Sequence, residues 1–153
     1  MLLFICTFLI YLSLQKEYIV LEGTDSFALV SVSRSLVAYS GALVIHYATS
    51  DITAVGVDAD KYAACLLLSP LQRGPAFCGD YRQTEGYLVI EAGLAIAGFE
   101  VPIVNDECNE RYLKFLEVTI SVPGSNALQG ERVSAKVRID DDDFLQATCP
   151  EFR

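Results

Sequence analysis

Short runs of alternating residues recur along the chain, and this period of two constrains the fold more than any other feature. In one such run, Val30 and Val32 alternate with Ser31 and Ser33. Gly, Pro, Asn or Asp residues separate the runs, which is typical of antiparallel strands with one buried face. Six or seven such strands form a β-sandwich. The runs cover residues 28–33, 43–48, 88–90, 99–103, 116–121 and 135–139.

The composition is that of one folded domain that attracts cations. The chain has 153 residues, of which 52% are hydrophobic and 20% are charged, so it can bury a core. It carries 20 Asp and Glu residues against 11 Lys and Arg residues, a formal charge of -9. A protein that binds nucleic acid needs a basic face, so this balance argues against nucleic acid as a partner.

The sequence also lacks the motifs of common enzymes. His46 is the single histidine, so a mechanism with an imidazole base has one candidate. No G-x-S-x-G, phosphate-loop or dinucleotide-binding pattern is present. We therefore expect a protein that is not an enzyme.

The two ends of the chain allow more than one interpretation. Residues 2–14 carry no charge, but this run is shorter than the roughly 20 residues of a transmembrane helix. Residues 1–14 are therefore a signal peptide, a first strand, or the artificial start of a piece of a larger protein. We assign residues 15–143 to the domain and residues 144–153 to a linker or tail.

Five cysteines raise the question of disulfides. Removal of a leader would remove Cys6 and leave an even number, which permits disulfides in a secreted domain. Cys65 and Cys78 are the candidate pair, because they would close a short loop. The alternative is that all five cysteines are reduced and partly buried. No C-x-x-C motif supports a zinc site or a redox dithiol.

Residues 52–79 break the strand pattern. This segment is long for a loop of a sandwich, so we interpret it as an insertion or a functional feature. Its residues Tyr62 to Leu68, followed by Pro70 and Pro75, allow either a short helix or an extra hairpin.

Acidic residues follow the predicted strands at several places. If the loops that carry them lie at one end of the sandwich, their carboxylates converge and repel one another unless they are protonated or bridged by a cation. Calcium prefers six to eight oxygen ligands, largely carboxylates and carbonyls. The alternative is a set of solvated strand ends that prevent edge pairing. The residues are Glu22, Asp51, Asp106, Glu107, Glu110 and the run Asp140–Asp143.

Five short motifs, in this order, resemble those of the Calx-β domain, a module of sodium–calcium exchangers, integrin β4 and extracellular-matrix proteins of the Fraser-syndrome group. Together they span about residues 10–143. The motifs are Tyr18-Ile-Val-Leu-Glu22-Gly23, His46-Tyr-Ala-Thr-Ser-Asp51, Gly79-Asp80-Tyr81 with Gly86-Tyr87-Leu88 and Glu91-Ala92-Gly93, Val101-Pro-Ile-Val-Asn105-Asp106-Glu107, and Ala135-Lys-Val-Arg-Ile139 with Asp141–Asp143.

The resemblance implies an all-β, immunoglobulin-like, seven-stranded antiparallel sandwich with a long insertion and a calcium site at one end. Asn105 stands where the family usually has Asp, and residues 111–114 replace an acidic run, so Lys114 or Arg111 would partly neutralise the site. The candidate calcium ligands carried over from the family are Glu22, Asp51, Asp106, Glu107, Glu110, Asp141, Asp142 and Asp143.

The resemblance also predicts a function. We expect a calcium-binding module of a larger extracellular or membrane-attached protein, secreted and acting in cell adhesion and communication beside neighbouring repeats. The alternative is a spacer repeat with a degraded calcium site that binds a protein partner through residues 52–79, with Leu66 to Leu68 as the contact. A third interpretation is a cytosolic calcium sensor.

Overall fold

The structure of the protein, a computed structural model, describes residues 12–35, 41–110, 112–123 and 133–143. These ranges contain strands, two short α-helices and one turn of 3₁₀ helix at Pro70–Gln72. The helices are α1 (Ala59–Leu66) and α2 (Pro75–Cys78). The strands are β1 (Leu12–Leu14), β2 (Glu17–Leu21), β3 (Phe27–Arg34), β4 (Leu43–Asp51), β5 (Gly56–Val57), β6 (Tyr81–Arg82), β7 (Glu85–Ile90), β8 (Ile96–Pro102), β9 (Lys114–Ser121) and β10 (Ser134–Asp140).

Two sheets pack face to face, which confirms the predicted sandwich. One has the order β1-β3-β8 and the other β2-β10-β9-β4-β7. β1 and β2 follow each other in the chain but lie in different sheets, so together they form one strand that changes sheet. Counted in this way, the two sheets contain seven strands among the described residues. The described pairs of these two sheets are antiparallel except for β2 with β10, which is parallel. A small parallel ribbon of β5 and β6 lies beside them.

The core lies between the inward faces of the two sheets. Every second residue of β3, β9 and β10 is buried, as the period of two predicts. Val30, Leu116 and Val137 have no exposed surface. Burial of one such side chain contributes about 1.5–3 kcal/mol. Across the core, the rings of Tyr47 and Phe99 stack with their centroids 3.8 Å apart.

Tyr18 fixes the place where the first strand changes sheet. Its hydroxyl donates a hydrogen bond to the Ser31 carbonyl (2.8 Å) and accepts one from the Gln15 backbone N–H (3.2 Å). These bonds connect β2 of the five-stranded sheet to β3 of the three-stranded sheet. On its other side β2 pairs with β10, and the register of this pair positions Glu22.

Residues 52–79 contain helices rather than an extra hairpin. Asp58 caps α1 by accepting a hydrogen bond from the Lys61 N–H (2.8 Å). Cys65 and Cys78 form a disulfide with their Cα atoms 5.6 Å apart. Both cysteines pack against Val104, which follows β8, so this segment has a small core of its own. No helix among the described residues is long and apolar enough to cross a membrane.

Some predictions lie outside the described residues. Leu12–Leu14 form β1, but residues 1–11 of the proposed leader and the proposed tail, 144–153, are not described. The same holds for Arg111, Cys6 and Cys149. Cys108 is disulfide-bonded.

Candidate metal centre

Three loops meet at one end of the sandwich, and two of them meet because β2 and β10 run parallel. Their register pairs Leu21 with Asp140, so Glu22 lies beside the start of the Asp141–Asp143 run. The Glu22 N–H donates to the Asp140 carbonyl (2.9 Å). The loop after β8 joins them, because the Asp106 N–H donates to Glu22 Oε1 (2.8 Å). Sequence positions 84 residues apart therefore contact each other.

Carboxylate oxygens from these loops converge. Glu22, Asp106 and Asp143 each offer one oxygen, and these oxygens lie within 4.8 Å of one another. Asp141, Asp142 and Asp143 form a second group by the same measure. With Asp80 and Glu110, described below, these residues form what we call the acidic centre.

Hydrogen bonds from the backbone orient the carboxylates. Asp106 Oδ1 accepts from the Cys108 N–H (2.7 Å). Asp141 accepts twice, from the Glu110 N–H at Oδ2 (2.5 Å) and from the Asp143 N–H at Oδ1 (2.7 Å). Asp141 therefore ties the loop after β8 to the end of β10.

Gly23 makes room for the acidic centre. Its φ of +75° lies in the left-handed region, which residues with a side chain adopt at a cost. A Cβ atom at this position would collide with the Asp142 carboxylate. The Glu22-Gly23 motif thus provides the Glu22 carboxylate, and the absence of a side chain at Gly23 leaves room for the Asp142 carboxylate.

Burial makes the charged carboxylates unfavourable. Glu22 and Asp106 are each 4% exposed. Burial first, and then the neighbouring charges of Asp106, Glu110 and Asp141, raise the pKa of Glu22 to about 9, against the hydrogen bond from the Asp106 N–H. Burial likewise raises the pKa of Asp106 to about 7. At neutral pH this centre must hold protons or a cation.

Asp80 also belongs to the acidic centre, and Lys114 lies beside it. Neither residue is among the predicted ligands. Asp80 is 5% exposed and its Oδ2 accepts a hydrogen bond from the Val55 N–H (2.5 Å). The Lys114 ammonium lies 3.7 Å from Asp80 Oδ1 and 3.1 Å from Glu110 Oε1. Burial and then the charge of Asp80 raise the pKa of Glu110 to about 8, while Lys114 lowers it. The motif Gly79-Asp80-Tyr81 was the sequence signal for Asp80.

Three predicted ligands lie apart from the converging oxygens, and one of them is Glu110, which pairs with Lys114. Asp51 Oδ1 accepts hydrogen bonds from the Tyr81 hydroxyl (2.6 Å) and the Gly56 N–H (2.9 Å), so Asp51 fastens the end of β4 to β5 and β6. Glu107 belongs to neither group of close oxygens among the described residues. Its charge acts on Asp143, whose pKa is raised by burial and then by Asp142, Asp141 and Glu107.

The donor set fits a hard cation. The converging groups are all carboxylates, the ligands that calcium prefers. Glu110 Oε1 and Asp143 Oδ2 are buried and accept no hydrogen bond from the described residues. The first oxygen is within ion-pair distance of the Lys114 ammonium, whereas no described cation compensates the second. Asp143 Oδ2 therefore leaves a coordination position for a metal ion.

Comparisons with known proteins agree with the fold. No protein-family model matches the sequence, and no curated protein matches it. Among solved structures, the apo form of the Calx CBD1 domain is similar with a TM-score of 0.66 and 20% identity, over 88% of this chain and 99% of that one. The Calx CBD2 domain has a TM-score of 0.60 and 15% identity, over 88% and 87%.

A longer structure is similar in the same way. The calcium binding domain CBD12 of CALX1.1 has a TM-score of 0.65 and 20% identity, and the match covers 88% of this chain and 44% of that chain. This chain therefore spans less than half of the CBD12 structure. The resemblance predicted from five short motifs is confirmed for the architecture, and the chain has the Calx-β fold.

Proposed function

We propose that the protein is a calcium-binding module, not an enzyme, and that the acidic centre binds the ion. The convergence of Glu22, Asp106 and Asp143 within 4.8 Å carries this proposal. Buried carboxylates that lack a counterion are costly unless a cation neutralises them. The similarity to a structure described as a calcium binding domain supports the same choice of ion.

Bound calcium would neutralise carboxylates from three loops at once. Glu22, Asp106 and the run Asp141–Asp143 would hold the ion, and Asp141 already joins two of these loops by hydrogen bonds. Calcium supplies charge compensation and flexible coordination to oxygen. The ion would thus stiffen one end of the sandwich and make its stability depend on calcium.

A calcium titration by calorimetry, with melting curves in calcium and in chelator, tests the proposal. We expect heat of binding and a higher Tm in calcium. Asp143→Asn should weaken both effects, because it removes the charge of a carboxylate whose Oδ2 is orphaned. Glu100→Gln removes a charge from an exposed position of β8 and should behave like the unchanged protein. The same Tm in calcium and in chelator would exclude a calcium site.

We further propose that the module belongs to an extracellular or membrane-attached protein that acts in adhesion and cell communication. The disulfide of Cys65 with Cys78 supports this, since such bonds persist in oxidising compartments. The similarity to part of the longer CBD12 structure supports neighbouring repeats as partners. Mass spectrometry of the secreted protein, alkylated without reductant, should find Cys65 and Cys78 unlabelled. Labelled cysteines would contradict the proposed compartment.

A spacer role with a protein contact is the second candidate. Leu67 is 88% exposed and Leu71 is 73% exposed, and both lie in the loop that the disulfide closes. Large apolar side chains exposed close together favour a contact with another protein. A neighbouring repeat is the partner that this proposal names. Leu67→Ser with Leu71→Ser should weaken the association of adjacent repeats in sedimentation experiments, while Leu29→Ser at an exposed position of β3 should not. Unchanged association in both variants would exclude this surface.

A further inference from the structure

The acidic centre has two sides that differ in how charge is compensated. On one side, Lys114 Nζ lies 3.1 Å from Glu110 Oε1 and 3.7 Å from Asp80 Oδ1. Both carboxylates are deeply buried, with 8% and 5% of their side chains exposed. On this side, an ammonium group already occupies the position of a cation between two acids.

The other side has a denser arrangement of acids. Glu22, Asp106 and Asp143 place their oxygens within 4.8 Å of one another. Within the described ranges, the two ion pairs of the acidic centre both involve Lys114 and lie on the side of Asp80 and Glu110. A divalent ion is therefore drawn to the side of Glu22, where it is not repelled at contact distance by an ammonium group.

We propose that Lys114 is a built-in cation that limits how many calcium ions the centre binds. It occupies the position between Asp80 and Glu110, so that these carboxylates do not serve as calcium ligands. Loss of its charge creates an additional calcium position there. This inference rests on the proposed calcium-binding function and names the residue that sets the stoichiometry.

The surroundings of Glu110 support an additional ion position. Glu110 Oε1 is buried, and the Lys114 ammonium, 3.1 Å away, is the group that compensates it. The second carboxylate, Asp80, keeps Oδ1 on the side of Lys114 while Oδ2 is held by the Val55 N–H. Without the ammonium, two buried acids remain close to each other, and calcium is the cation that such oxygen donors prefer.

Lys114→Gln tests the inference because it removes the charge and keeps most of the side-chain length. Native mass spectrometry and calorimetry should show one more calcium ion per chain than in the unchanged protein. In chelator, the variant should melt several degrees lower, since removal of one partner leaves buried carboxylates uncompensated. In calcium, most of this difference should disappear. Lys114→Arg keeps the charge and should keep the original stoichiometry, as should Lys136→Gln, which removes a lysine from β10.

The outcomes separate this inference from the proposed function. If the unchanged protein binds no calcium, the proposed function is wrong. If it binds calcium and Lys114→Gln binds the same number of ions, the inference alone is wrong. If Lys114→Gln does not fold in chelator, refolding on addition of calcium supports the inference, and failure to refold in calcium overturns it.

Discussion

The segment 52–79 and the acidic centre are neighbours that satisfy their polar groups in opposite ways. In the segment, the acids Asp58 and Asp60 balance the bases Lys61 and Arg73. The Arg73 guanidinium donates to the carbonyls of Cys65 (3.0 Å) and Leu68 (3.1 Å), and a disulfide closes the loop. The acidic centre instead gathers buried carboxylates, and Lys114 pairs with only two of them, Asp80 and Glu110. The first region is complete without a ligand, whereas the second requires protons or a cation.

The two regions share a boundary, so the first can serve the second. The Val104 N–H donates to the Asp80 carbonyl (3.0 Å), and Val104 packs against Cys65 and Cys78. Arg73 Nη1 reaches the Asn105 carbonyl (3.0 Å), one residue before Asp106. The disulfide-linked segment therefore supports the backbone of two strand ends that supply carboxylates. Changes in each region should separate its contribution to stability from its contribution to calcium binding.

Acidity should have the largest effect, and it should act on the acidic centre. The pKa values of Glu22 (about 9), Glu110 (about 8) and Asp106 (about 7) lie above their ordinary values of 4.5, 4.5 and 3.8. Between about pH 4 and pH 9, the folded protein therefore binds more protons than the unfolded chain. Without metal, the free energy of unfolding should fall as pH rises from about 4 towards 9.

Calcium binding should have the opposite pH dependence, because the ion displaces those protons. We expect Kd to fall by about tenfold per pH unit for each proton released. Urea unfolding in chelator and calorimetry with calcium, each from pH 5 to pH 9 in steps, measure the two trends. Stability in chelator that rises towards pH 9 would show that the buried carboxylates are already compensated.

Asp106→Asn should have the next largest effect. It should weaken calcium binding without lowering the stability of the protein in chelator. Loss of a buried charged partner costs about 2–5 kcal/mol, which is at least roughly a 30-fold rise in Kd. Asn keeps the oxygen that accepts the Cys108 N–H, and it removes repulsion from Glu22 and Asp143. In chelator the variant should therefore be at least as stable as the unchanged protein. A variant that loses both affinity and stability would indicate a packing role for Asp106.

The sandwich and part of the acidic centre could be predicted from the sequence. The period of two in β3, β9 and β10 predicted the sandwich, because alternation is a local consequence of burying one face. Glu22, Asp106 and Asp143 lie within four residues after the ends of β2, β8 and β10, so their convergence follows from the order of the strands. Asp80 was missed, because it reaches the centre only through the fold of residues 52–79.

Two other residues depend on contacts that no local pattern indicates. Asp51 follows a strand like the other acids, but the Tyr81 hydroxyl and the Gly56 N–H hold its Oδ1. Lys114 was noted as a residue that could neutralise the site, but its partners were not predicted. From the start of β9 it reaches Glu110, four residues earlier, and Asp80, which is distant in the sequence. Such long-range pairing is decided by tertiary structure, not by sequence spacing.

Removal of the disulfide should mainly affect stability. Cys65→Ala with Cys78→Ala opens a loop whose ends are 13 residues apart, and a loop of this size predicts a loss of about 3 kcal/mol. Urea unfolding of the variant and of the unchanged protein, both in chelator, measures this loss. Calcium affinity should be affected less than stability. Of the acidic centre, the residue closest in sequence to Cys78 is Asp80, and it lies on the side of Lys114 rather than among the converging oxygens. A tenfold or larger rise in Kd at full folding would show that the segment shapes the calcium position itself.

Arg73→Met should have the smallest effect, and it tests whether the segment positions the acidic centre. The change removes hydrogen bonds from a charged donor to the carbonyls of Cys65, Leu68 and Asn105. Each such bond contributes about 1.5–3 kcal/mol at most, and water compensates carbonyls that become exposed, so we expect a net loss of about 1–2 kcal/mol. If the bond to Asn105 positions Asp106, Kd for calcium should rise two- to fivefold, by about 0.4–1 kcal/mol. Arg73→Lys keeps the charge but cannot reach several carbonyls at once, so it should recover stability only in part. Equal calcium affinity in all three proteins, at matched folding, would mean that the segment supports the fold without tuning the site.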